Sequence, residues 1–187
     1  STTIGAFENL KKLESQKVKV LQADKNGGYD YGNNFGIKYL QSQNEEYDYI
    51  IISNPDIEVE EKAIIHCLKV LEENSKIAIC APRMFNKDGK PIRRSSWKIR
   101  TFLLDVVHAT RLLEALFYKV LRNGEYSEEE YNKEILKVEV IAGAFFVIRY
   151  EVLKDIGLLD DNVFLFYEED ILAQKIKSKG LEIVSLN

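Results

Sequence analysis

The sequence feature that most constrains the fold is the apolar run Tyr49–Ser53, which is followed directly by Asn54, Pro55 and Asp56. An uninterrupted run of β-branched and aromatic residues is typical of a strand that is buried on both faces. The strand has to end before Pro55, because proline lacks an N–H group and restricts the backbone of the residue before it. Asn54 and Asp56 are therefore expected at the carboxyl end of a sheet strand, where open α/β sheets bind ligands.

The Asn-Pro-Asp tripeptide has two interpretations. An Asp at the end of a sheet strand suits a divalent cation, which prefers oxygen ligands. The tripeptide also suits a simple turn that caps a following helix starting near Ile57–Glu61. Taken alone it favours the turn, because turn-forming residues are common after strands. The rest of the chain has to decide between the two.

Further strands and helices are predicted to alternate along the chain. The other strands are expected at Val18–Gln22, Ile77–Ala81, Val138–Ile148 and Leu181–Leu186. Helical spacing of apolar residues predicts helices near Phe7–Leu13, Asn33–Leu40, Val59–Glu73, Arg149–Ile156 and Asp170–Ile176. The segment Asn86–Lys90 is interpreted as a hairpin tip, and Asn123–Lys137 as a mobile connector with room for a short helix. This alternation predicts an α/β fold with a mostly parallel central sheet covered by helices on both faces.

Length and composition exclude several classes of protein. The 187 residues fit one domain with a sizeable core, and the net charge of −4 argues against general nucleic-acid binding. Cys67 and Cys80 occupy apolar patterns, which indicates buried thiols and a reducing compartment rather than a disulfide framework. His66 and His108 have no metal-ligand spacing, so a zinc site is not expected. No segment has the pattern of a membrane span or a signal peptide, and we expect a cytoplasmic protein.

The glycine-rich segment from Asn26 to Gly36 leads into a predicted helix. Glycine lets a backbone approach a ligand closely, and N–H groups at a helix start can face an anion. The segment lacks the Gly-Lys-Ser/Thr sequence of the common phosphate-binding loop. A plain connector, in which Gly32 and Gly36 allow close helix packing, explains the pattern equally well.

Two later segments carry features of a site. Gly143 lies between two alanines in a predicted strand, which indicates that something approaches the backbone there. The aromatic run Phe164–Tyr167 is followed by three acids, Glu168, Glu169 and Asp170, at a predicted helix start. The helix dipole alone accounts for acids at this position. The aromatic run, which we expect to be half-buried, would carry them to the rim of a pocket.

The segment Ile99–Leu121 has a broad apolar face with basic residues beside it. Such a helix can lie on a membrane surface, at the inner face of the membrane in this case. It can also pack on its own domain or form a homodimer contact, and this simpler interpretation is favoured.

Several segments described above follow one another along the chain as they do in family 2 glycosyltransferases of the GT-A fold. The chain therefore resembles that family, and most closely its rhamnosyltransferase-like branch. The similarity covers nearly the whole chain, and the segments that carry it are Asn26–Tyr29, Asn33–Gly36, Tyr49–Asp56, Gly143–Phe145, Gly157–Asp160 and Phe164–Asp170. The resemblance implies an inverting enzyme that moves a sugar, with rhamnose as the suggested one, from a nucleotide-diphosphate donor. The implied acceptor is a glycan or lipid-linked glycan in bacterial polysaccharide synthesis.

The resemblance also implies roles for individual residues. The last Asp of Asn-Pro-Asp, Asp56, would hold Mg²⁺ or Mn²⁺ on the donor diphosphate. Asp170 would be the base that activates the acceptor hydroxyl, and Glu169 would support it. This agrees with the chemistry, because the leaving diphosphate needs neutralisation and the acceptor needs a carboxylate on the opposite side of the sugar. The implied donor-binding residues are Asn26, Gly28, Asn33, Asn34, Asn54, Asp56 and Gly143.

The sequence departs from the family pattern in two places. Only Ser1–Thr3 matches the end of the family's second strand, with Thr3 where Asp is common, so we expect a single GT-A domain over residues 1–187 that is incomplete at its N-terminus. Leu172 stands where many relatives have an acid. The alternative function is a non-catalytic module of the same fold that binds a nucleotide sugar or a protein partner.

Overall fold

The computed structural model describes residues 4–92, 95–99 and 126–187. Its helices are α1 (Ile4–Lys11), α2 (Tyr29–Ser42), α3 (Glu61–Glu73), α4 (Glu128–Tyr131), α5 (Tyr150–Asp155) and α6 (Glu168–Ser178). Its strands are β1 (Tyr49–Ser53), β2 (Ile77–Pro82), β3 (Ser96–Trp97), β4 (Ile135–Val138), β5 (Val140–Ile141), β6 (Phe145–Arg149) and β7 (Glu182–Leu186).

Five strands form the central sheet in the order β1-β6-β2-β7-β4, and β3 pairs with β5 in a separate ribbon. β1, β2 and β7 run in the same direction, but only β2 and β7 are parallel neighbours. β6 lies between β1 and β2 in the opposite direction, and β4 is antiparallel to β7. The expectation of a mostly parallel sheet is corrected accordingly: the described sheet is mixed.

Helices cover both faces of this sheet, as the alternation of elements predicts. On one face α3 buries Cys67, Val70 and Leu71 against β2, β6 and β7. On the other face α2, α5 and α6 pack on the sheet through apolar side chains such as Leu153 and Ile176. Each fully buried side chain of this size stabilises the fold by roughly 1.5–3 kcal/mol relative to its exposed state. Both cysteines are free and buried, as expected.

Three predicted elements differ from the structure. Val18–Gln22 is not a strand, because its short alternation finds no neighbouring strand in the described part of the chain, and Val18 and Leu21 stay exposed. The helix expected at Asn33–Leu40 begins earlier, at Tyr29. The long strand expected at Val138–Ile148 is broken at Ala142–Ala144, where the chain leaves the β3–β5 ribbon and enters the central sheet.

The segment expected to be a mobile connector contains ordered elements. Ser127 and Glu130 form a reciprocal capping box at the start of α4, and β4 pairs with β7 from Ile135 to Val138. A capping box satisfies backbone N–H groups that a helix start otherwise leaves unpaired. The short helix that the connector prediction allowed for is therefore present as α4, whereas the strand β4 was not predicted.

Two other predicted segments have different outcomes. The hairpin tip at Asn86–Lys90 is confirmed by the Asn86 N–H, which donates to the Lys90 carbonyl at 2.8 Å. The amphipathic segment Ile99–Leu121 lies outside the described residues except for Ile99, so its membrane or dimer contacts stay a prediction. Within the described ranges, no helix has the length and apolar character needed to cross a bilayer.

Candidate active site

A cavity of about 680 Å³ lies where β1 ends and β6 begins. The Asn54 N–H donates to the Ala144 carbonyl at 2.8 Å and so joins the end of β1 to the turn before β6. The lining residues come from five segments: Tyr29; Asn54; Trp97; Ala142, Gly143 and Ala144; and Leu165, Phe166, Tyr167, Glu168, Glu169 and Asp170. Three predicted site segments thus meet at one end of the sheet.

Helix α6 carries the acids into this cavity. Leu172, Ala173 and Ile176 are buried against the sheet, so the preceding turn of the helix lies at the cavity wall. The Trp97 indole Nε1 donates to Asp170 Oδ2 at 3.3 Å. Trp97 itself is fixed by the β3–β5 ribbon, in which it pairs with Val140. The predicted base is therefore oriented by a side chain from a different element.

Glu169 is held by the backbone of Gly143. The Gly143 N–H donates to Glu169 Oε1 at 3.1 Å, and the Tyr29 hydroxyl donates to the Gly143 carbonyl. Burial raises the pKa of Tyr29 to about 12, and the nearby carboxylates of Asp30 and Glu169 act in the same direction. The tyrosine stays protonated near neutral pH and can donate. The N–H and the carbonyl of Gly143 are thus both hydrogen-bonded within the protein, and the residue itself lines the cavity.

The aromatic run before the acids is more exposed than expected. Phe166 and Tyr167 are 70% and 53% exposed, although both line the cavity. Their backbones have φ of 70° and 69°, in the left-handed region that L-residues seldom occupy. The expectation that this run is half-buried is therefore wrong. At the cavity mouth, the two consecutive left-handed residues carry side chains that face outward.

The predicted donor-binding Asn34 has a supporting role in the structure. It is buried in α2, where its Nδ2 donates to the Leu159 carbonyl at 2.9 Å and its Oδ1 accepts from the Leu159 N–H at 3.1 Å. One helical turn earlier, Asp30 Oδ2 accepts from the Asp160 N–H at 3.1 Å. Together, Asp30 and Asn34 hold the loop that leads to the aromatic run and the acids.

The other predicted residues of the glycine-rich segment also lie outside the cavity lining. Asn26 is exposed, and its Oδ1 accepts from the Gly28 N–H at 3.4 Å. Gly28 has φ of +95°, and an added Cβ would lie 2.9 Å from the Phe164 carbonyl carbon and nearer still to its oxygen. Asn33 is half-buried and its side chain faces the Tyr29 hydroxyl. The segment thus positions the aromatic run.

Asp56 lies two residues beyond Asn54, in an exposed turn, and is not among the cavity-lining residues. The Ile57 N–H donates to the Asn54 carbonyl at 3.3 Å, as expected for a turn. Among the described residues, no group of three His, Cys, Asp or Glu side chains could hold a metal ion. A cation at Asp56 would need most of its oxygen ligands from a bound diphosphate and water. The metal role of Asp56 therefore stays a prediction.

Sequence reasoning did not identify Tyr29, Asp30 or Trp97 as site residues. Trp97 is the single tryptophan of the chain, which was a usable signal. Tyr29 follows the glycine pair directly, but its hydroxyl meets a carbonyl 114 residues away, and no local pattern encodes that contact. Leu172, the departure from the family acid, is buried in the core and leaves no carboxylate at that position.

The chain is similar to a curated protein and, in its fold, to a solved structure. A curated protein of Haloferax volcanii, the low-salt glycan biosynthesis hexosyltransferase Agl10, is 28% identical over 167 residues, which are 89% of this chain and 48% of that protein. The solved structure of GalNAc-T7 with UDP, GalNAc and Mn²⁺ has a TM-score of 0.62 at 15% identity, over 96% of this chain and 32% of that chain. That structural similarity confirms the GT-A fold of the α/β class.

The chain spans about half the length of the curated relative and about a third of the solved structure. Residues 3–157 match the family model described as glycosyl transferase family 2. This match covers more than half of the chain, so it is sufficient to assign the family. The chain belongs to glycosyl transferase family 2.

Proposed function

We propose that this chain carries the catalytic site of an inverting glycosyltransferase that uses a nucleotide-diphosphate sugar. The observation that carries the proposal is the shared cavity of Asn54, Gly143 and Asp170 at the end of the sheet. The family match ends at residue 157, so the assignment of the two acids rests on their geometry and on the resemblance of Phe164–Asp170 to the family motif.

Asp170 acts as the general base in this proposal. Its carboxylate accepts the proton of an acceptor hydroxyl, and the hydroxyl oxygen forms a bond to the anomeric carbon of the donor sugar. The bond from that carbon to the diphosphate breaks with its electron pair on the departing oxygen. Attack opposite the leaving group inverts the configuration at the anomeric carbon. The Trp97 hydrogen bond fixes one carboxylate oxygen and so limits the orientations of the base.

The donor is expected to lie along the wall formed by Asn54 and the turn Ala142–Ala144. Asp56, at the turn beyond Asn54, would hold Mg²⁺ or Mn²⁺ jointly with the diphosphate. The chemistry that a bound cation supplies is neutralisation of charge on the leaving diphosphate. The similar solved structure holds UDP and Mn²⁺, which makes a nucleotide diphosphate and a divalent cation the first ligands to test.

The transferred group is a hexose in this proposal, with rhamnose, a deoxyhexose, as the finer suggestion. The name of the Haloferax volcanii relative supports a hexosyl group and a glycan product. The exposed aromatic side chains Phe166 and Tyr167 beside Asp170 suit a glycan or lipid-linked glycan as acceptor, because sugar rings and lipids both present apolar surface.

The first test is release or transfer of sugar from nucleotide-diphosphate donors, with Mn²⁺ and with a chelator. We expect turnover with the cation and its loss on chelation. Asp56→Ala should weaken Mn²⁺-dependent donor binding by at least about tenfold, because it removes the protein ligand of the cation. Thermal unfolding should be unchanged because Asp56 is exposed.

Asp88→Ala provides the matched control for Asp56→Ala. Asp88 is also an exposed aspartate in a turn, and it lies in the Asn86–Lys90 hairpin tip, outside the cavity lining. It should bind the donor as the wild type does. Equal donor affinity of the Asp56→Ala variant and the wild type with Mn²⁺ present would contradict the role of Asp56. Donor binding without any turnover would favour the non-catalytic module.

A further inference from the structure

The backbone of Gly143 is held from both sides by side chains of two different helices. Tyr29, the first residue of α2, donates its hydroxyl proton to the Gly143 carbonyl. Glu169, the second residue of α6, accepts the Gly143 N–H at 3.1 Å. Residue 143 lies in the turn that forms one cavity wall. A single peptide segment therefore links α2 to the acidic turn of α6.

The Tyr29 contact has a fixed polarity. A carbonyl oxygen only accepts, so the tyrosine has to donate, and its half-buried hydroxyl stays protonated near neutral pH. A hydrogen bond shielded from water is also stronger than one at the surface. The contact is thus suited to hold the turn in place throughout the pH range in which a carboxylate base works.

The Gly143 turn has further connections to the site. Asn54, at the end of β1, donates its N–H to the Ala144 carbonyl at 2.8 Å. Glu169 and Asp170 are consecutive in the first turn of α6, so a contact that fixes Glu169 also restricts Asp170. There is little free space around the glycine, because an added Cβ would lie 3.2 Å from Glu169 Oε1 and 3.4 Å from the Tyr29 oxygen.

We propose that Tyr29 is a positioning residue of the transfer reaction. Its hydroxyl holds the Gly143 carbonyl, and so fixes the backbone of this residue such that its N–H is presented to Glu169. This fixes the first turn of α6, and with it Asp170, against the wall on which the donor is expected. The inference rests on the proposed function, and it assigns to Tyr29 a role in the geometry of the base rather than in contact with the substrate.

The variant that tests this is Tyr29→Phe, which keeps the ring and removes only the hydroxyl. Tyr31→Phe is the matched control, because it removes a hydroxyl from the same helix, where Tyr31 contacts the exposed Asp24 instead of the cavity. Amide hydrogen exchange at Gly143 should accelerate by about fivefold or more in Tyr29→Phe. It should stay at the wild-type rate in Tyr31→Phe.

Kinetics show whether the contact matters for catalysis. In Tyr29→Phe the kcat of transfer should fall by about 10- to 100-fold, since small misplacement of a catalytic group has effects of this size. The donor KM should stay within about twofold, because the hydroxyl does not touch the donor in this proposal. A purely structural role would instead lower the melting temperature and leave the kcat of the folded enzyme unchanged.

A double variant tests whether the two side chains act through the same residue, Gly143. Combining Tyr29→Phe with Glu169→Leu should lower kcat by clearly less than the product of the two single effects, because residues that share a partner are coupled. Multiplicative effects would overturn the inference. An unchanged Gly143 exchange rate in Tyr29→Phe would also overturn it, whether or not the protein transfers sugar. The exchange result therefore separates failure of this inference from failure of the proposed function.

Discussion

Gly28 shows how one residue of a recognised motif can act through packing. It precedes α2 with φ of +95°, a conformation that strains any residue with a Cβ. Its missing side chain leaves room for the Phe164 carbonyl, at the start of the aromatic run. The glycine-rich segment was expected to contact the donor directly. In the structure, this glycine fixes the position of the cavity mouth relative to α2. Its contact with a donor stays a prediction.

Gly28→Ala is accordingly expected to destabilise the protein by about 2 kcal/mol or more, from the left-handed backbone and the overlap with Phe164 together. Gly36→Ala is the control, since Gly36 lies inside α2 with nothing within 4 Å of an added Cβ. That change should be neutral or stabilising by up to about 1 kcal/mol, because alanine favours helix interiors. Urea unfolding of both variants measures the difference. Equal stabilities would show that Gly28 is not sterically required.

At the scale of elements, α2 supports the loop before the acids. Asp30 and Asn34 lie on one face of the helix and bond to the backbone of residues 159 and 160. Asp30 is 2% exposed, and its burial raises its pKa to about 6. Within that value, the Asp160 N–H and the Lys175 cation act to lower the pKa, whereas the carboxylates of Glu168 and Glu169 act with burial to raise it. Folding therefore favours the protonated form of this carboxyl.

The sign of the resulting pH effect follows from the raised pKa. The contribution of Asp30 to stability is fully present below the pKa of the unfolded chain, about 3.9, and is lost as the pH rises through about 6. Asp30→Asn removes this dependence while its amide oxygen can still accept the Asp160 N–H. As the pH rises from 4 to 8, the free energy of unfolding of the wild type should fall by about 2 kcal/mol relative to that of the variant. If the free energies of unfolding of the two proteins change in parallel over this pH range, the raised pKa of Asp30 is contradicted.

The sequence predicted elements well wherever local pattern and tertiary environment agree. Tyr49–Ser53 and most of Leu181–Leu186 form strands of the described sheet, as predicted. The expectation that Tyr49–Ser53 is buried on both faces is wrong, because it is an edge strand of that sheet, in which Ile50 and Ile52 are buried but Ile51 is 42% exposed. Val18–Gln22 has a strand pattern too, but no ladder partner satisfies it in the described chain. The direction of β6 could not be derived, because an apolar run does not encode which neighbours it joins.

For the site, the sequence predicted residue types better than contacts. Asn54, Gly143, Glu169 and Asp170 were named in advance and line one cavity. The partner that orients Asp170, the Trp97 indole, lies 73 residues away along the chain. Such contacts depend on how the β3–β5 ribbon packs beside α6, and periodicity carries no information about that packing.

At the scale of the whole molecule, the sheet brings strand ends and one helix start to a common cavity, with helices on both faces as support. Buried apolar side chains fix the distances between the sheet and its helices. The hydrogen bonds of Tyr29, Asp30 and Trp97 then orient the groups around the cavity. The central claim of this account is that Asp170, held in this frame, takes the proton from an acceptor hydroxyl.

The most direct measurement is the rate of sugar transfer by Asp170→Asn, with donor binding measured in parallel. Asparagine keeps the shape and can still accept from Trp97 Nε1, but it cannot act as a base at neutral pH. We predict a fall in kcat by roughly two to four orders of magnitude with nearly unchanged donor affinity. Asp161→Asn, an exposed change outside the cavity lining, should transfer at the wild-type rate. Wild-type turnover by Asp170→Asn would contradict the account, and loss of turnover in Glu169→Gln instead would assign the base to Glu169.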